Sequence, residues 1–310
     1  MASTTANLDI NILADICLGA LMIKLDEMSA FAFGVRSNVN LNDSVKVLVE
    51  SYTKDAAAWN VSSNNYETSD DDVTTGVDIT LDQKIKKTAF VEEDDFSKID
   101  ISKKLTGLGH SCAYQMLLAN YDTLIAASYT ETEEVVGAAS TFDWDAVVDL
   151  EVVADDAEFG MDRYMVVANT YMANLKKDGI LVANKAANVD PGLSANRFDI
   201  IGGFNSMGST VIKNISGTAS TENLVGFITD GSAMGVGLGT PAFTGSSDGG
   251  VEVATSIDPK TGIGIQLRRH YSRPTGRWYL NAVILYGTAV VRSGSPVSYT
   301  HLRAHETPEH

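Results

Sequence analysis

The sequence predicts an α+β chain. A long β-ribbon leads into a long helix, a compact α/β region follows, and the last third is rich in strands. Three patterns carry that prediction. From Val77 to Val91 the residues alternate: Val77, Ile79, Leu81, Ile85, Ala89 and Val91 share one parity, while Asp78, Thr80, Asp82, Lys84 and Lys86 take the other. That is the period of one half-buried strand, which at about 3.3 Å per residue would span roughly 50 Å. From Ile101 the period changes. Ile101, Leu105, Leu108, Cys112, Met116 and Ala119 recur at three- and four-residue spacings, an apolar stripe along a helix that runs to about Ala127. Finally, Val251–Ile257 and Ile263–Tyr271 alternate, and Trp278–Val291 is apolar on both parities, as in a central strand.

Composition sets the outer bounds. The chain has 310 residues, 44% of them hydrophobic, which supports a real core and excludes global disorder. Its net charge of −17 argues against a nucleic-acid-binding surface, whose footprint is basic, and against anionic lipid. Cys17 and Cys112 lie far apart with no CxxC pattern, so no zinc site is expected, and two buried, inert thiols suit a reducing compartment. The apolar run Ile16–Ile23 has no basic residue before it. It is shorter than the roughly 20 residues that cross a bilayer. The expectation is a chain without secretion signal or membrane span, made and kept in a cytoplasm.

In chain order, residues 1–11 form a small, polar tail. An amphipathic helix follows from Ile12 to about Ala32, with Asn11 placed to cap it and Gly34 to stop it. Val45, Val47 and Val49 alternate with Lys46, Leu48 and Glu50 as a strand. Paired with the long strand it makes a hairpin whose polar connection, residues 52–75, carries Trp59 and Tyr66 as its aromatics. That connection is about twice the length at which structureless loops become uncommon, and a lone two-stranded ribbon is marginal in water. Either the ribbon folds back on its own domain or it lies across another subunit. The acidic run Glu92–Asp95 ends it. Gly107 and Gly109 weaken the start of the long helix, each by about 1 kcal/mol against alanine.

Residues 128–141 read as a linker. Asp143 caps a helix through Asp156, Tyr164–Ala168 is a buried strand, and Asn169 caps a helix over Thr170–Asp178 that Gly179 ends. Ile180–Ala183 is a short apolar run, and residues 186–198 are turn-rich around Pro191 and Gly192. Short strands are expected near Ile200, Val211 and Val225, a small helix or turn near Ala233, and turns at Asp258–Gly262 and Pro274–Gly276. Residues 295–310 hold three of the five histidines without apolar periodicity. They resemble a translated sequencing-adaptor read-through, so they are set outside the fold, and the natural C-terminus is expected to be missing.

No reaction centre assembles from the sequence. Gly235-Val-Gly-Leu-Gly239 has Thr240 where a dinucleotide loop needs its third glycine and Pro241 where the helix should run, so it reads as a flexible turn. The segment Gly203–Gly208 around Ser206 is one residue too long for a nucleophile elbow. His110 lies beside the helical stripe and His270 on the polar face of a strand, and neither belongs to a triad. The runs Asp70–Asp72 and Glu92–Asp95 lack the spacing and glycine of a calcium loop. Met161, Met165 and Met172 read as core filler. Arg268, Arg269, Arg273 and Arg277 form the one basic concentration, either a charged strand face or a contact for acidic loops of another subunit. Catalytic, cofactor-binding and metal-binding residues are therefore expected to be none, and the chain is read as not an enzyme.

The order of elements nevertheless resembles a known family. The ribbon over 45–91, the helix through Ala127, the segment DWDAVVDLEVVADDAEFGMDRYMVVANTYMANLKKDG at 143–179 and the closing strands GIGIQLRRHYSRPTGRWYLNAVILYG at 262–287 look like a major capsid protein of tailed bacteriophages with the Hong Kong 97-type fold. The resemblance implies an N-terminal arm at 1–44 and an extended loop at 45–91. It implies a P-domain at 92–141 and 250–294 with the long helix as its spine, and an A-domain at 142–249. It also implies a virion component, assembled in a host bacterial cytoplasm. Subunits would join as hexamers and pentamers of an icosahedral head around double-stranded DNA, with scaffolding, portal and decoration proteins as partners and no membrane. A cellular nanocompartment shell of the encapsulin kind is the second expectation.

Overall fold

The structure is a computed structural model that describes residues 9–36, 41–51, 73–92, 101–128, 134–136, 142–156, 159–177, 199–212, 223–229, 231, 233–239, 241, 250–291 and 299–304. Helix α1 (Ile10–Leu25) is capped by Asp9, whose Oδ1 accepts from the Asn11 amide at 3.0 Å. Asn11 is thus inside the helix, not its cap. The helix also ends sooner than expected. A 3₁₀ turn over Asp26–Ala30 follows, and then strand β1 (Ala32–Arg36), which contains Gly34. The early stop lets Phe31 drop between Tyr121 and Phe227, with ring centroids 5.1 and 5.7 Å away.

The expected strand from Val77 to Val91 is two strands. Strand β2 (Ser44–Ser51) pairs antiparallel with β3 (Val73–Thr80) as a two-stranded ribbon. At Leu81 the chain is pinned to Asn42 and Asp43 by two 2.9 Å backbone bonds. It then starts β4 (Gln83–Glu92), which leaves the ribbon and pairs with β13 (Arg277–Val290). The break spans two residues, so the parity of the pattern survives it. Periodicity reports which face a residue takes, not which strand lies beside it.

Helix α2 (Ile101–Ser128) matches its expected span, with Ile101, Leu105, Leu108, Cys112 and Met116 buried. Gly109 sits where α1 crosses: a Cβ there would run into the Cys17 carbonyl. The glycine that weakens the helix in isolation is what lets the two helices meet. Both helices pack on the main sheet, whose strands run in the order β1, β10 (Met234–Gly239), β13, β12 (Gly264–Ser272), β11 (Val251–Ile257). One edge of β13 carries β4, and the other carries β12 over Arg277–Val283 and β10 over Leu285–Val290. The turn expected at Gly235–Gly239 is therefore wrong: the segment is a fully buried strand between β1 and β13.

A second sheet takes the order β5 (Glu134–Val136), β14 (Tyr299–Ala304), β9 (Asn223–Thr229), β6 (Tyr164–Ala168), β8 (Phe204–Ser209), β7 (Asp199–Ile201). Helices α3 (Trp144–Asp156) and α4 (Asn169–Lys177) accompany it, and Asp143 caps α3 through a 3.3 Å bond from the Ala146 amide. The expected strand near Val211 lies earlier, as β8. Strand β14 comes from the segment set outside the fold, yet it pairs with β9. Its pairing is through the main chain, which does not need the apolar periodicity the segment lacks. Met161 is wholly exposed, unlike the buried Met165 and Met172, so it is not core filler. The expected features at 180–183 and 186–198 fall outside the described residues.

Candidate assembly surface

Among the described residues the ribbon is the sheet with the fewest strands. Its register runs from Ser44 opposite Thr80 to Ser51 opposite Val73, about 27 Å of paired strand at 3.4 Å per residue. Burial falls off along it. Ile79 and Leu81 at the root are fully buried, Val45, Val47 and Val77 are half-buried, and Leu48 is 68% exposed. Among the described residues no third strand joins the ribbon.

The root is seated in a notch. Gly237 of β10 and Gly287 of β13 are register partners. A Cβ on Gly237 would stand 3.1 Å from the Ile79 and Leu81 side chains, and one on Gly287 would collide with the Thr80 carbonyl. Two facing glycines thus let the ribbon cross over the main sheet at backbone distance. The glycine-rich sequence that suggested a ligand loop has a packing reason instead.

A second junction joins the helices to the second sheet. Glu27 is buried, and its Oε2 accepts from the Tyr121 hydroxyl at 3.0 Å and from the Ser209 hydroxyl at 2.8 Å. Nothing in the sequence pattern singles Glu27 out, because its partners lie far along the chain, in α2 and β8.

The expected basic contact surface is largely consumed inside the chain. Arg269 is buried against Glu252 of β11, with Nε 3.0 Å from Oε2, and stacks over Trp278. Arg277 pairs with Glu92 at 2.7 Å, and Arg268 donates to Gln266 at 2.8 Å. Only Arg273, exposed on the turn after β12, keeps the surface position expected of the group. Arg269 ties β12 to β11 and Arg277 ties β13 to β4, while Arg268 bonds within β12, the arrangement of a charged strand face.

The residues weighed for chemistry stay apart. His270 stacks on Tyr279 with ring centroids 5.2 Å apart, and His110 is half-buried on α2. Ser206 is buried in mid-strand and donates to the Phe204 carbonyl at 3.2 Å, far from the exposed turn a nucleophile elbow needs. Burial pushes the Cys17 thiol up to about 12, helped by Cys112, and pushes Cys112 up to about 11 against the pull of Lys87. Neither thiol is a nucleophile at neutral pH. Among the described residues no three His, Cys, Asp or Glu side chains converge as a metal set, and no helix is long and apolar enough to cross a membrane.

No family model matches the chain, and no curated protein matches it either. Solved structures do, and they define a class of fold: the chain has the α+β fold of bacteriophage capsid structures. The asymmetric unit of the bacteriophage PhiM1 mature capsid matches 91% of this chain and 87% of its own, with TM-score 0.57 and 12% identity. A structure of mycobacterium phage Adephagia matches 92% and 91%, with TM-score 0.55 and 12% identity. The capsid of a native GTA particle matches 90% and 91%, with TM-score 0.52 and 13% identity. At such identities the likeness speaks of the fold alone.

Proposed function

We propose that this chain is a major capsid subunit that assembles with itself into hexamers and pentamers of an icosahedral phage head enclosing double-stranded DNA. The observation that carries the proposal is the ribbon. A two-stranded sheet with an exposed Leu48 and a buried root is marginal in water, and an identical neighbour is the partner that every copy has at hand. The capsid fold of the solved structures supports the same reading. In this division residues 1–44 are the arm, 45–91 the extended loop, 92–141 and 250–294 the P-domain, and 142–249 the A-domain. Strand β4 belongs to the extended loop by sequence and to the main sheet by pairing. The role is structural and not enzymatic. Scaffolding, portal and decoration proteins would be its other partners, and assembly would take place in the host cytoplasm. A cellular compartment shell is not favoured by these likenesses.

The test is negative-stain microscopy of the purified full chain, beside a second variant that lacks residues 55–72. The first should form closed shells. The second should keep the subunit's circular dichroism and cooperative unfolding and yield few or no shells. Normal shells from the shortened ribbon would remove its assigned role.

A further inference from the structure

We infer that β4 pairs edge to edge with β4 of a second copy, antiparallel, about a two-fold axis at Ala89. This contact goes beyond the ribbon. A ribbon laid on a neighbour is a head-to-tail contact of the kind that builds rings, whereas a two-fold contact is isologous and joins one ring to another.

Three observations lead to it. First, β4 is the longest strand with an open edge: its ten residues bond to β13 on one side, and among the described residues nothing pairs the other. Lys86, Lys87, Thr88 and Phe90 are exposed, and a cavity of about 340 Å³ separates Lys87–Phe90 from Lys104, Gly107 and Leu108 of α2. Second, the strand is charge-complementary to itself when reversed. Lys84, Lys86 and Lys87 fill its first half, and Glu92, held by Arg277 at 2.7 Å with its side chain 42% exposed, closes it, so an incoming lysine would share that carboxylate with the arginine. Lysines on an edge ordinarily keep it from pairing; an acid at the far end of the same strand turns that repulsion into selection for one register. Third, Phe90 is 45% exposed on the outer face, a large apolar group that its own chain leaves partly uncovered.

The register follows from symmetry. For the two sheets to continue with the same face outward, opposed residues must share parity, so the residue numbers of each pair sum to an even value. A sum of 178 sets Lys86 opposite Glu92 of the second copy and Phe90 opposite Thr88 of the second copy, with Ala89, the smallest side chain of the strand, on the axis. The Phe90 carbonyl already points to the open edge, where the Lys104 ammonium donates to it at 2.6 Å. Residues 86, 88, 90 and 92 therefore present their backbone groups outward, and the lysine must release that carbonyl when a strand arrives. The two Ala89 residues then form a non-hydrogen-bonded pair with Cα atoms about 4.5 Å apart, within the span of a disulfide. The open edges of β1 and β11 offer no such self-match: β1 has five residues, and β11 carries Glu252 but no lysine or arginine to meet it when the strand is reversed.

The test is Ala89→Cys in the full chain, oxidised with glutathione disulfide and run on a denaturing gel without reductant. A covalent dimer is expected, and Thr255→Cys on β11 should stay monomeric. Adding Lys86→Glu to Ala89→Cys makes two attractive pairs repulsive and should slow crosslinking about tenfold. The double variant Thr88→Cys/Phe90→Cys reads the same register from exposed positions should Ala89→Cys fold poorly. A monomeric Ala89→Cys chain with native circular dichroism overturns the inference. So does crosslinking that matches the Thr255→Cys control or ignores Lys86→Glu. The crosslink is read whether or not shells close, so its failure is separate from failure of the capsid reading.

Discussion

At Gly287 the main chain of β13 passes so close to the Thr80 carbonyl that a single added methyl has no room. The backbone φ there is not positive, so the need is for space and not for conformational freedom. Gly237, its register partner, faces the ends of the Ile79 and Leu81 side chains, which can shift by a few tenths of an ångström. The two positions should therefore respond differently. Gly287→Ala forces a backbone apart and is expected to cost about 1–3 kcal/mol, the range for overpacking a filled core, while Gly237→Ala costs less. Denaturant unfolding gives the two values, and limited proteolysis shows whether cleavage within residues 44–80 quickens first in Gly287→Ala. Equal effects from both would mean that the notch does not hold the ribbon root.

Among the elements, the seam between α1 and α2 shows what periodicity can and cannot see. The stripe from Ile101 to Met116 is legible because a helix repeats its buried face every turn. The span of α3, the buried β6 and the last three strands of the main sheet are legible for similar local reasons. Gly109 is legible only as a cost, since its contact, Cys17, lies on another helix. The same limit hides β10, where three glycines mimic a turn, and it merges β3 with β4. Arg269 and Arg277 look like a surface because their partners Glu252 and Glu92 lie on other strands and cannot be read from spacing. The seam also carries a pH dependence. Both thiols are raised from the ordinary value of 9.0, Cys17 to about 12 and Cys112 to about 11, because burial disfavours the thiolate. A raised pKa means the folded state holds the proton more tightly than the unfolded state. The stabilisation is therefore complete below pH 9 and is lost as pH rises towards 11 and 12. The double variant Cys17→Ala/Cys112→Ala should lose that share of the alkaline decline in unfolding midpoint. In the unsubstituted protein a thiol reagent at pH 8 should react only on unfolding.

For the whole molecule the governing quantity is a net charge of −17, and it bears on the proposed cargo. Duplex DNA is held through phosphates neutralised by Lys and Arg, with counterions released in proportion. Among the described residues, cations gather around a cleft of about 330 Å³ between α1, α2 and β4, where Lys24, Lys86 and Lys87 meet His110. The three lysines of that cleft would give a salt slope of about −2.7, far from that of a protein that grips DNA by many phosphates. The net charge of the chain opposes the duplex. A container that must fill densely gains from such a wall, because DNA that sticks on entry obstructs the length of duplex still to come in. The expected result is that a fluorescently labelled duplex keeps its free anisotropy when mixed with the subunit at near-physiological salt, with weak retention only at low ionic strength. Tight binding that persists at high salt would mean that basic side chains are concentrated on one wall despite the overall charge, and the acidic lining would have to be given up while the shell itself could stand.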